Sequence, residues 1–104
     1  MNMAVSTLDN VNSFFNTSVR ILANTNMNDY TTPGIYRCSG ADAATLTNKP
    51  TANAFVMFVI SRSPLDGIER NQIVFSPDCI FIRGTASGSF TGRNWYKFTG
   101  TEMT

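Results

Sequence analysis

The stretch Ala54-Phe55-Val56-Met57-Phe58-Val59-Ile60 is an unbroken run of seven apolar residues, and it restricts the fold more than any other part of the chain. A bilayer span needs about 20 such residues, so this is not one. The run is rich in β-branched and aromatic residues, and turn formers bound it on both sides, Thr51 and Asn53 before it and Ser63-Pro64 after it. A buried strand satisfies these conditions. Successive side chains of a strand point to opposite faces, so an unbroken apolar run requires cover on both faces. The run is therefore expected in the middle of a sheet. In a small sheet some of its outward-facing side chains need a helix, a second sheet or a neighbouring chain against them, which makes oligomerisation an expectation.

Shorter runs of the same kind follow one another along the chain. Ile35-Tyr36-Arg37-Cys38 alternates; Ile68 to Phe75 resumes as a strand with a polar start; Cys79-Ile80-Phe81-Ile82-Arg83 and Trp95-Tyr96-Lys97-Phe98 close the chain. Between them lie turn signals: Pro33-Gly34, which suits the centre of a type II turn, Ser63-Pro64-Leu65-Asp66-Gly67, and Ser76-Pro77-Asp78. Ser39 to Asn53 reads as a long loop, and the small residues from Gly84 to Gly92 as a flexible hairpin tip. The pattern predicts a mainly β fold, a small antiparallel meander of four or five strands with long loops. At the N-terminus Leu8, Val11, Phe15, Val19 and Leu22 recur at helical spacing among several Asn, Ser and Thr. A short helix or irregular lead-in, then a strand near Val19 to Leu22, is expected there. Residues 1–23 form this lead-in and residues 24–104 the β domain.

The chain's 104 residues suit one domain. A net charge of +1 lacks the excess of Lys and Arg that neutralises a row of phosphates, so nucleic acid is not an expected partner. Nor is membrane insertion. Near Met1 there is no basic segment followed by an apolar one, so synthesis in the cytoplasm without a cleaved signal is expected. Cys38 and Cys79 read as small buried strand residues; a disulfide between them is the alternative, disfavoured by that compartment.

The chain contains no histidine. A serine or cysteine nucleophile then lacks its ordinary base, and two thiols fall short of a structural zinc site. Asp29, Asp42, Asp66, Glu69 and Asp78 remain, mostly in expected turns where Asp serves local hydrogen bonding, whereas glycoside cleavage needs two carboxylates converging on a saccharide cleft. The expectation is a non-enzymatic protein with no cofactor and no metal.

The run Met27-Asn28-Asp29-Tyr30-Thr31-Thr32-Pro33-Gly34-Ile35-Tyr36 resembles the opening of the pyocin knob domains of bacteriophage and R-type pyocin tail fibres. In that family an Asn- or Asp-rich loop leads through Thr-Thr-Pro-Gly to an aliphatic or aromatic residue and a Tyr. The later strands follow in the family's order: Ala54 to Ile60, Ile73 to Phe75, Ile80-Phe81-Ile82-Arg83, a Gly/Ser loop and Trp95 to Phe98. The Ser39–Asn53 loop and the Pro64 turn are longer than the family pattern, and the last strand departs from its common form. The resemblance implies a β-rich knob on a homotrimeric fibre of a virion, serving in attachment to a bacterial surface glycan or outer-surface protein. The alternative is a structural trimerisation or capping module without receptor contact.

Saccharides are commonly held by an aromatic face with planar polar groups beside it. Arg93, Asn94, Trp95 and Tyr96 are consecutive, and Arg83 is expected on the partner strand. Strand alternation allows only one of Trp95 and Tyr96 to face outward; Trp95 is assigned to the core, and Tyr96, Arg93 and Arg83 to the outward face. Tyr30, in a loop, is a further candidate, while Tyr36 is read as structural.

Overall fold

In a computed structural model of the protein, residues 18–62 and 68–104 are described. The helix expected over the first residues and the turn at 63–67 lie outside them. A single six-stranded sheet runs in chain order: β1 (Val19–Arg20), β2 (Gly34–Cys38), β3 (Phe55–Ser61), β4 (Arg70–Phe75), β5 (Cys79–Thr85) and β6 (Tyr96–Thr99). The mainly β expectation is borne out, and the apolar heptapeptide forms the body of β3 between β2 and β4. All neighbouring pairs are antiparallel except β1 and β2, where the lead-in docks parallel to β2 in a two-residue strand. Ile21, just beyond it, is fully buried.

Alternation divides the sheet into two faces. Tyr36 and Cys38 of β2, Phe55, Met57 and Val59 of β3, Val74 of β4 and Phe81 of β5 point to one side and are buried. Two long loops cover that side. One carries a single 3-10 turn at Met27–Asp29, the other a four-residue helix, α1 (Gly40–Ala43), capped by Ser39. Their backbones zip together, with Met27 N–H donating to Thr47 O at 3.1 Å and Thr47 N–H to Thr25 O at 3.1 Å. Asn26 Oδ1 accepts from Asn28 N–H and from the Asn48 amide, both at 2.9 Å. Asn24 and Asn48 take φ of 62° and 56°, a left-handed conformation that Asn tolerates better than most residues. The Asn-rich segments are thus the cover of the core and not a solvated linker.

Three local expectations are corrected. Gly34 does not turn: its φ of 159° is extended and it begins β2. The Ser39–Asn53 loop contains α1, because Ser39 accepts from Asp42 N–H and Ala43 is buried against the core. The 84–92 tip is anchored, since Phe90 is fully buried beneath it.

Cys38 and Cys79 are free. They lie on β2 and β5, three strand spacings of ~4.8 Å apart, about twice the Cα separation a disulfide tolerates.

The other face of the sheet is apolar too. In register across it run Ile35, Phe58, Ile73, Ile82 and Tyr96, then Val56, Phe75, Ile80 and Phe98. Phe58 and Phe75 meet edge-on, with ring centroids 5.4 Å apart. No described element covers this face: Phe58, Phe75, Tyr96 and Phe98 are 37%, 40%, 66% and 56% exposed.

Candidate functional site

Gln72 and Arg83 are cross-strand partners on β4 and β5 and face the core side. Gln72 is 0% exposed and Arg83 2%. Arg83 Nε donates to Gln72 Oε1 at 2.7 Å, and Gln72 Nε2 donates to Met27 O at 2.7 Å and to Tyr30 O at 3.0 Å. The guanidinium lies over two rings, 4.9 Å from the Phe90 centroid and 4.5 Å from that of Trp95. Arg83 Nη1 reaches Arg93 O at 3.4 Å, and Nη2 has no hydrogen-bond partner among the described residues. With no carboxylate beside it among the described residues, burial pushes the Arg83 pKa down to about 10. Aromatic faces take the place of a counter-ion here, an arrangement worth most where water is excluded.

The placement of Arg83 corrects the expectation of an outward-facing residue. Arg83 is two residues from buried Phe81 and therefore shares its face. An arginine in a strand reads as solvated by composition, but alternation assigns it to the core side. Trp95 is half-buried against the core, and its Nε1 donates to Asn48 O at 2.9 Å. Tyr30 is half-buried and edge-on to Tyr36; its hydroxyl accepts from Leu22 N–H at 3.3 Å and lies 2.8 Å from Thr25 Oγ1. Arg93 and Asn94 are exposed on the loop before β6, with Arg93 Nε donating to Gly84 O at 2.6 Å. Tyr96 is exposed on the opposite face of the sheet.

The six candidate residues therefore do not form one surface. Arg83, Trp95 and Tyr30 belong to a buried network that fastens two loops to the sheet, Arg93 and Asn94 form an exposed pair beside it, and Tyr96 joins the uncovered apolar face. Gln72 at the centre of the network carried no sequence signal of its role, because a polar residue at the start of a strand reads as solvated. Replacing Trp95 by phenylalanine should keep the stacking on Arg83 and lose the bond to Asn48 O. A loss of about 1 kcal/mol is expected, measured by urea denaturation followed by circular dichroism.

Among the described residues the carboxylates do not converge. Asp42 pairs with Arg20 at 2.9 Å, which holds its carboxyl below the usual range, and Glu69 pairs with Arg62 at 2.9 Å. Among the described residues no group of three or more His, Cys, Asp or Glu gathers, and no helix is long and apolar enough to cross a membrane.

The fold is similar to part of a solved structure of the P. aeruginosa R1 pyocin fiber comprising C-terminal residues 323–701. The two share 20% identity with a TM-score of 0.65, over 88% of this chain and 24% of that one. The chain thus spans about a quarter of the fibre fragment it matches, and at this identity the likeness is one of fold. No protein-family model and no curated protein matches the sequence.

Proposed function

We propose that this chain is a non-enzymatic module of a phage or pyocin-type tail fibre in a virion-like particle, a homotrimer held together through its outer sheet face, in a fibre that serves attachment to bacteria. The uncovered apolar face carries this reading. Its four aromatic residues alone expose about as much area as two whole aromatic side chains, ~300–500 Å². With Val56, Ile60 and Ile80, at 42%, 46% and 38% exposure, the face stands at the upper end of the patches found on monomers and approaches the ~800 Å² that each partner buries in a stable interface. The fold it shares with a pyocin fibre fragment supports the same reading. Light scattering in dilute solution should give three times the 11.4 kDa of one chain; a mass of one chain across the micromolar range would overturn it.

A second reading, direct contact with a surface saccharide or outer-surface protein, is favoured by the exposure of Arg93 and Asn94 together on the 90–95 loop. Multivalent display would raise weak single-site affinity when several copies engage at once. Adsorption to bacteria that is lost in the Arg93→Ala/Asn94→Ala variant would favour it over a purely structural role.

A further inference from the structure

We propose that copies of this chain meet head to tail, the β6 edge of one against the β2 edge of the next. This rests on the assembly reading above and adds which surfaces face each other. The occupant of the outer face is then a second copy of the chain.

The two edges carry complementary features at matching levels along the strands. Tyr96 stands on β6 in the same row as Phe58 and Ile35, and Phe98 in the same row as Val56 and Arg37. At the β6 edge both rings project with more than half their surface exposed. At the opposite edge lies a groove of about 300 Å³ whose lining includes Pro33, Gly34, Ile35, Phe58 and Ile60. Because β1 pairs only with Tyr36 and Arg37, β2 is itself the edge strand at that level. Tyr96 of one copy is placed to enter the groove of the next.

Charge runs the same way. Arg37 is exposed on the outer face of β2, one strand in from the two-residue β1, donating to Ser18 O and Oγ, with no carboxylate in an ion pair with it among the described residues. Asp78, in the β4–β5 turn, and Glu102, after β6, are exposed and without an ion pair among the described residues. They lie at the β6 side, just past the row of Phe98 and Arg37. A contact that keeps this level sets Asp78 and Glu102 of one copy toward Arg37 of the next across the outer face, beside β1. Such a contact is heterologous, and it closes into a ring when the rotation allows, with the apolar faces turned to the axis.

The test compares the wild type, Arg37→Glu, Asp78→Arg/Glu102→Arg and the full swap of all three, by sedimentation at low and high salt. Each single-edge variant should raise the apparent dissociation constant at least tenfold, and the full swap should restore it to within about threefold. Wild-type association should weaken with salt. Tyr96→Ala, at an exposed position that the monomer fold does not need, should also weaken association at least tenfold, with an unchanged circular dichroism spectrum confirming the fold. Single-edge variants that associate like the wild type, or a full swap no better than its halves, would overturn the head-to-tail contact while leaving the assembly reading intact. A monomeric wild type would overturn both. Association held by the apolar face with no response at Arg37, Asp78 or Tyr96 would indicate face-to-face stacking or another ligand on that face.

Discussion

Replacement of Gln72 by leucine is expected to destabilise the fold by about 3–5 kcal/mol. Leucine fits the volume but leaves Tyr30 O and Arg83 Nε without their partner, and Met27 O with only its 3.3 Å bond from Tyr30 N–H, in a network that is buried or half-buried. Arg83 Nε belongs to a charged side chain, for which a lost hydrogen bond costs most. Against a total stability of about 5–15 kcal/mol this is a large share. The melting temperature should fall by on the order of 20 °C. Because the harm comes from abandoned partners, it should not add to that of Arg83→Met. The double variant removes donor and acceptor of the same bond together, and a double-mutant cycle by urea denaturation should show a coupling of about 2 kcal/mol between the two positions. Strict additivity would mean that Gln72 and Arg83 act separately and that the network is not a unit.

The sheet was legible in the sequence because period-two alternation and turn chemistry are local signals. The apolar heptapeptide announced a central strand, and the turn formers around it separated the rest. The loops over the core were less legible: the roles of Asn26, Asn48 and Ser39 depend on partners far along the chain, so their composition suggested only solvated connections. The candidate binding surface was the least legible part. Alternation places Trp95 and Tyr96 on opposite faces, as the structure has them, but the general exposure of arginine points Arg83 outward. The same alternation, counted from Phe81, puts it inside. Gln72 needed the register itself, which sets it beside Arg83 and beneath Tyr30. The outer face, by contrast, was implicit in every strand that carried apolar residues at both odd and even positions.

That two-sidedness yields the sharpest contrast among single substitutions. Met57 and Phe75 are apolar residues on adjacent strands that face opposite sides of the sheet. Met57 is fully buried and Phe75 is 40% exposed. An aspartate at Met57 places an unpaired carboxylate in the core, and the chain should fail to fold at any concentration. An aspartate at Phe75 reaches water in the isolated chain, where the loss of its packing on Phe58 and of strand propensity should cost only about 1 kcal/mol. Once copies associate, the same carboxylate lies within the apolar interface. Association should weaken by about a thousandfold, equivalent to about 4 kcal/mol. Phe75→Asp should therefore give a folded monomer, with a strand-like circular dichroism spectrum, a cooperative melt and a mass of one chain at concentrations where the wild type is assembled. If Phe75→Asp instead kept the wild-type mass, the outer face would not be where the copies meet. If it unfolded like Met57→Asp, the face would be needed by the single chain, and folding and assembly would be one step.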